Sequence, residues 1–287
     1  MNGMRDGQPN PNYLHGYSAA EQRRLVEQAE YWRERLILPD LPYRPGQRLL
    51  DVGCGAGAVL GVLASAHPGL ELAGIDREKR QIDVAKSHLA LLGRHDVDLR
   101  VGDATTLPWP DGFFDHAYLM WFVEHVPRIE PILREIRRVI APGGTITVNE
   151  TEYESYHVWP ESDDWDHLER AMFRHFQDHG QPHAGRRLGP LLVEAGFGDV
   201  TNRLVGFHFF AQPGCDDLRR HTHYTAEYIA PAIPAFVALG YDESRLRRGL
   251  EHLLSIHEDP HGAFSQMVYR ARGTNPPRGP AAASPTC

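Results

Sequence analysis

The stretch "DVGCGAGAVL", residues Asp51–Leu60, decides how the chain is read. Three alternate glycines, Gly53, Gly55 and Gly57, separate the apolar run "RLLDV" from the helix-like run "AVLGVLASAHP". Glycine adopts positive φ at no steric cost and lets a ligand come close to the main chain. A helix that begins directly after such a loop turns its unpaired N–H groups toward an electron-rich group. The reading is strand, tight loop, helix, with something held against bare backbone.

The alternation continues on the C-terminal side. "ELAGID" reads as a strand and "EKRQIDVAKSHLALLG" as a helix; "VDLRVGD" reads as a strand with a loop after it. "FDHAYLMW" is a strand, "IEPILREIRRVI" a helix stopped by Pro142-Gly143-Gly144, and "TITVNE" the fifth strand. Strands alternating with helices pair in parallel and carry helices on both faces, the pattern of a doubly wound α/β sheet. After Glu152 the rhythm stops. An aromatic, charged segment with one helix follows, then "RLGPLLVEAGF" as helix and "VTNRLVGFHFF" as strand. Residues 211–262 interrupt again with helical stretches, and "GAFSQMVYRARG" is the last strand. Upstream, "SAAEQRRLVEQAEYWRERL" reads as a helix with Ser18 and Glu21 as a capping box. Leu25, Gln28, Ala29, Trp32 and Leu36 share one of its faces. The expected organisation is an arm and lid helix over 1–40, a main domain over 41–273 with cap insertions near 152–185 and 211–262, and a disordered tail over 274–287.

With 41% hydrophobic and 24% charged residues, the 287-residue chain suits a globular protein that buries a full core. Its formal net charge of −8 opposes nonspecific nucleic-acid binding, which needs a basic surface. No apolar run approaches the roughly 18 residues of a membrane span, and the start lacks an apolar signal core, so a cytoplasmic location is expected. Cys54, Cys215 and Cys287 have neither metal nor disulfide spacing, and no metal is expected.

Asp76 closes the second strand, where a carboxylate can accept both ribose hydroxyls of a nucleotide. The glycine loop and this acid suit either a dinucleotide or S-adenosylmethionine. Two features break the tie. The spacing Gly-x-Gly-x-Gly lacks the third-glycine placement of a dinucleotide fingerprint. Lys79 and Lys86, the only lysines, have no tyrosine four residues before them, which removes a Tyr-x-x-x-Lys dehydrogenase pair. Asp103, ending the third strand, can accept the exocyclic amine of an adenine.

Taken together, "LLDVGCGAGAVL", "GID", "GDATTLPWPDGFFDHAYLMWFVEH", "LREIRRVIAPGGTITV" and "LLVEAGF" resemble the class I S-adenosylmethionine-dependent methyltransferases, in their small-molecule and natural-product branch. The match covers roughly residues 48–210 and the final strand. The resemblance implies a seven-stranded, mostly parallel Rossmann-like sheet with an antiparallel last strand, an N-terminal lid helix and an inserted helical cap. It implies that Gly53 and Gly55 bed the methionine end of the cofactor, that Gly57 supports the turn, and that Asp51 orients the amino group through water. It implies that Asp76 holds the ribose with Arg77 beside the adenine, that Asp103 and the Ala104 amide read the adenine edge, and that Trp121 offers a carbonyl to the ammonium. Tyr17 and Gln28 are expected nearest the cofactor from the lid.

Methyl transfer needs alignment, exclusion of water and, for a hydroxyl acceptor, removal of a proton. His125 follows the fourth strand and is the favoured base, because imidazole titrates near neutrality. Glu150 and Glu152, placed after the fifth strand, are the other candidates. The pair His221 and His223 would share a face on a strand, though no further ligand completes a metal set. Tyr153, Tyr156, Trp159, Trp165, Phe173, Phe176, Tyr224, Tyr228 and Phe236 offer an aromatic cap for a hydrophobic or aromatic metabolite. The rival readings are carbon methylation of a prenyl chain through a cation, with Arg186, Arg187, Arg219 and Arg220 for a diphosphate, and an idle cofactor-binding subunit.

Overall fold

The computed structural model describes residues 19–277. The expected contact from Tyr17, the Ser18 cap and most of the expected tail therefore lie outside the described residues.

Among the described residues, seven strands form one sheet in the order β3-β2-β1-β4-β5-β7-β6. They are β1 (Arg48–Val52), β2 (Glu71–Asp76), β3 (Asp98–Val101), β4 (Phe114–Met120), β5 (Ile140–Trp159), β6 (Gly198–Phe210) and β7 (Ala263–Thr274). The pairs β1–β2, β2–β3, β1–β4 and β4–β5 are parallel. β7 is antiparallel to both β5 and β6. The α/β fold is the one expected, antiparallel last strand included.

The helices α1 (Ala19–Trp32), α2 (Ala58–Ala66) and α3 (Lys79–Leu91) cover one face of the sheet, where Trp32, Leu36, Leu60, Leu63 and Tyr118 form one core. Helices α4 (Glu130–Val139) and α6 (Ala184–Glu194) cover the other, over Phe114, Leu119, Ile136, Val148 and Leu192. α4 sets Ile132, Leu133, Ile136 and Val139 inward at helical spacing and its arginines outward. A third core lies beyond the C-terminal ends of the parallel strands. It packs α5 (Asp163–His179), α7 (Asp217–Ile229), α8 (Ile233–Ala238) and α9 (Glu243–Ser255) against the far halves of β5, β6 and β7.

Three expectations change. First, β5 does not stop near Glu152 but runs to Trp159, paired with β7 as far as Ala263 after a register shift between Glu152 and His157. Its acids hid the strand, because Glu150 and Glu152 are buried within it, each satisfied by partners far away in sequence. Second, His221 and His223 lie on helix α7, where residues two apart diverge, so they share no face. His221 is buried against Tyr31 of α1, with Nδ1 2.9 Å from the hydroxyl. Third, order extends past residue 273. Thr274 still pairs with Thr145, and the buried Asn275 amide donates to the Ile140 carbonyl at 2.7 Å.

Candidate active site

The glycine loop bends as its composition requires. Gly53, Gly55 and Gly57 have φ of 76°, 49° and 73°. A Cβ on Gly53 would stand 2.2 Å from the Phe122 ring, whereas one on Gly55 would meet no protein atom within 4 Å. The N–H groups of Gly53 and Cys54 both donate to the Ile75 carbonyl, which ties the loop to β2. Asp76 ties it again: Oδ2 accepts the Gly55 N–H at 3.0 Å and Oδ1 the Glu78 N–H at 2.9 Å. Each oxygen keeps accepting capacity for a hydroxyl. Burial pushes the Asp76 carboxyl up, and the two N–H bonds oppose that shift.

These residues open onto a cavity of about 460 Å³, inside the range of small-molecule sites. Its wall holds Gly53, Gly55, Asp76, Arg77, Asp103, Ala104, Trp121, His125 and, from α1, Gln28. Asp103 is fixed by the Thr105 N–H and hydroxyl, both donating to Oδ1, and these bonds hold its carboxyl below the usual range. Trp121 follows β4 at φ 50°, a sparsely populated conformation for a non-glycine residue, with its N–H on the Asn149 carbonyl and its indole N–H on Thr151. Gln28 accepts from Arg24 at 2.9 Å.

Four expected site residues lie off this wall. Gly57 supports the turn from behind, where a Cβ would come within 3.0 Å of the Ala85 side chain. Asp51 is buried under the loop with Oδ2 unbonded; burial, with Asp76 nearby, pushes its carboxyl up to about 8. Glu150 is wholly buried and organises the turn after β4. Its Oε1 accepts the N–H groups of Phe122 and Val123 at 2.9 and 2.7 Å. Glu152 forms a two-point ion pair with Arg186, which also reaches Glu154. Both acids were expected in a loop at the site, and both stand instead in a strand, engaged elsewhere. Arg186 is consumed in the same way.

His125, in the short 3₁₀ turn Val123–His125, does reach the cavity. Burial, with His175 nearby, pushes its imidazole down to about 4, so at neutral pH the ring is neutral and a weaker base than its residue type suggests. Its Nε2 lies 3.3 Å from Glu124 Oε1. Burial and the neighbouring Glu150 drive the Glu124 carboxyl well above its ordinary range.

Glu124 is the wall residue that sequence reasoning passed over. It is 3% exposed, and its Oε1 accepts the Tyr153 hydroxyl at 3.0 Å. The Tyr153 oxygen lies 2.7 Å from that of Tyr228. Tyr156, Tyr224 and Gln266 complete this end of the cavity. Of the expected aromatic cap, four tyrosines line the site, Trp165, Phe176 and Phe236 are core, and Trp159 is exposed. A charged residue beside a histidine gives no sign of burial by its spacing. Only the partners supplied by β5 and α7 reveal it.

The comparisons with known proteins bear on the half that holds the glycine loop. Residues 50–148 match a family described as a methyltransferase domain. That stretch is thus similar to a methyltransferase domain. The chain is 36% identical over 171 residues to an uncharacterized 37.1 kDa protein in transposon TN4556 of Streptomyces fradiae, covering 58% of this chain and 48% of that one. It is 36% identical over 126 residues to demethylmenaquinone methyltransferase of Staphylococcus aureus strain JH9, covering 44% and 51%. The chain thus spans about half the length of these curated relatives. In fold it is similar to a phosphoethanolamine N-methyltransferase 2 of Haemonchus contortus, at TM-score 0.54 and 17% identity over 88% of this chain and 53% of the other. S-adenosylmethionine is the cofactor that likeness to a methyltransferase domain implies. The residues fit it: a side-chain-free loop at Gly55, paired acceptors at Asp76, and an adenine-side acid at Asp103. Among the described residues no helix of the chain is long and apolar enough to cross a membrane.

Proposed function

We propose that this chain transfers a methyl group from S-adenosylmethionine to a small, apolar or aromatic acceptor. One observation carries the reading: a single cavity joins the glycine loop, Asp76 and Asp103 to the tyrosine wall made by β5 and α7. When bound, the cofactor supplies an electrophilic methyl group on a sulfonium. The chain supplies the rest. Gly53, Gly55, Asp76, Arg77, Asp103, Ala104 and Trp121 would hold and orient the donor, with Asp51 acting from beneath the loop. Helix α1 walls one side of the cavity through Arg24, Leu25, Gln28, Ala29 and Trp32, and would help to exclude water from the reacting atoms. Tyr153, Tyr156, Tyr224 and Tyr228 present aromatic faces that suit an apolar acceptor and leave its polar groups to their hydroxyls. The net negative charge supports a small-molecule partner over a nucleic acid.

The test is to incubate the purified chain with S-adenosylmethionine and a panel of aromatic and isoprenoid metabolites, and to follow S-adenosylhomocysteine and methylated products by mass spectrometry. Product formation dependent on both Asp76 and an added acceptor is expected. A protein that binds no S-adenosylmethionine by calorimetry overturns the proposal.

A further inference from the structure

The acceptor end of the cavity contains a directional chain of oxygens. Tyr153 donates its hydroxyl hydrogen to Glu124 Oε1 at 3.0 Å. With that hydrogen committed, the 2.7 Å contact between the two tyrosine oxygens takes its hydrogen from Tyr228. Both tyrosines and Glu124 stand on the cavity wall. Behind Glu124 lies a second buried carboxyl, Glu150, anchored by the backbone N–H groups of Phe122 and Val123. The chain thus begins at Tyr228, on the cavity wall, and ends on a pair of buried carboxyls.

We propose that Tyr228, Tyr153 and Glu124 form a proton-accepting relay for a hydroxyl on the acceptor, which makes the preferred substrate a phenol or an enol. The proposal rests on the methyl-transfer reading and deepens it. When the acceptor oxygen bonds to the methyl carbon, the carbon–sulfur bond breaks and its electron pair stays on sulfur. The acceptor's proton passes to the Tyr228 oxygen, the Tyr228 proton to the Tyr153 oxygen, the Tyr153 proton to Glu124 Oε1, and the proton already held between the two carboxyls moves onto Glu150. The carboxyl pair holds one shared proton before transfer and two after it, so charge and atoms balance without an added reactant.

The surroundings suit a base of this kind. The groups facing the relay are Glu150, Tyr156 and Tyr153 from β5, Tyr224 and Tyr228 from α7, and His125 beside Glu124, with His175 of α5 behind it. The Arg24 guanidinium of α1 lies 5.7 Å from the centre of the Tyr228 ring. Burial raises both carboxyls, and the two interact, so the pair shares a proton. Glu150 is pushed up to about 7 by burial against the pull of its N–H donors. A base titrating near neutrality is matched to removal of a phenolic proton at that pH.

The experiment loads the full chain with S-adenosylhomocysteine and titrates it with 4-nitrophenol, whose phenolate absorbs in the visible, and with 4-nitroanisole, which has no proton to give. Near pH 7, where the carboxyl pair still carries a charge, the complex is expected to add a phenolate band beyond that of the free dye and to bind the phenol about tenfold or more tightly than the anisole. Glu124→Gln and Tyr153→Phe should each abolish the band, while S-adenosylhomocysteine affinity stays within about twofold. Tyr153→Phe removes one oxygen from the same ring, so it guards against a folding defect in the Glu124 variant. A band unchanged in both variants overturns the relay and leaves methyl transfer standing, as does a wild-type complex that ignores the dye. Failure of S-adenosylhomocysteine to bind at all overturns both.

Discussion

Asp76 accepts the N–H of Gly55 and that of Glu78, so one carboxylate sets the loop and still faces the cavity. Asp76→Ala should weaken cofactor binding by about 1.5–3 kcal/mol, the scale of lost charge-assisted hydrogen bonds, as read by calorimetry. An unchanged dissociation constant would mean that the ribose is held elsewhere. His125 invites a different expectation from its residue type. Its ring is already neutral at pH 7, and the proposed proton path runs past it through Glu124. His125→Ala should therefore lower turnover by less than about tenfold, short of the 10²–10⁴-fold typical of a lost general base. Asp51 makes a stability prediction. Its carboxyl is raised from 3.8 to about 8 in the fold, so between those pH values the unfolded chain sheds a proton that the folded chain keeps. Stability from this group is full below pH 3.8 and is lost as pH rises through about 8. Asp51→Asn should flatten that loss. Melting temperatures of the cofactor-free protein and the variant, compared across this window, should diverge in the variant's favour as pH rises.

At the level of elements, α1 carries two duties. Its face packs on the sheet through Ala29 and Trp32, and the same face lines the cavity. Trp32 is 1% exposed, with its ring centroid 4.7 Å from that of Phe207 and 6.1 Å from that of Tyr224. Trp32→Ala should cost about 3–5 kcal/mol in denaturant unfolding. Removing residues 1–30 leaves Trp32 in place and should cost turnover far more than stability of the sheet. A truncated protein with full activity would show that α1 is no lid. Legibility in the sequence also differed by element. β1, β2 and β4 were plain because short, mostly apolar stretches alternate with helix-like runs, as in strands buried on both faces. β5 was read short because its second half spells "TEYESYH", whose acids and tyrosines look like loop. Its acids pair with Arg186, and Tyr153 bonds to Glu124 and Tyr228, which no local pattern announces. Glu124 escaped notice for the same reason. The glycine loop, Asp76 and Asp103 were legible because their roles depend on backbone geometry and strand ends, which the sequence punctuates directly.

For the whole molecule, the cofactor and the fold should be thermodynamically linked. At a free concentration about a hundred times its dissociation constant, a ligand specific to the folded state adds about 2.7 kcal/mol. S-adenosylhomocysteine should then raise the melting temperature by at least about 5 °C in calorimetry. Nicotinamide dinucleotides should leave it unchanged, and a shift with a dinucleotide alone would reverse the cofactor assignment.

The sheet's strand order has a consequence for the birth of the protein. β6 touches the sheet only through β7, and β7 lies later in the chain than every other strand. While a ribosome has delivered no more than residues 1–262, β5 has an open edge and β6 has nothing to join. Its exposed Leu204 and Phe210 then belong to an unpaired segment. The half around the glycine loop can assemble early, but the tyrosine wall cannot, since β5 and α7 are brought together only when β7 threads between its neighbours. Synthesis thus builds the donor side first and withholds the acceptor side until the final strand emerges. A ribosome-arrested chain ending at residue 262 should resist proteolysis over β1–β4 and be cut readily across β6.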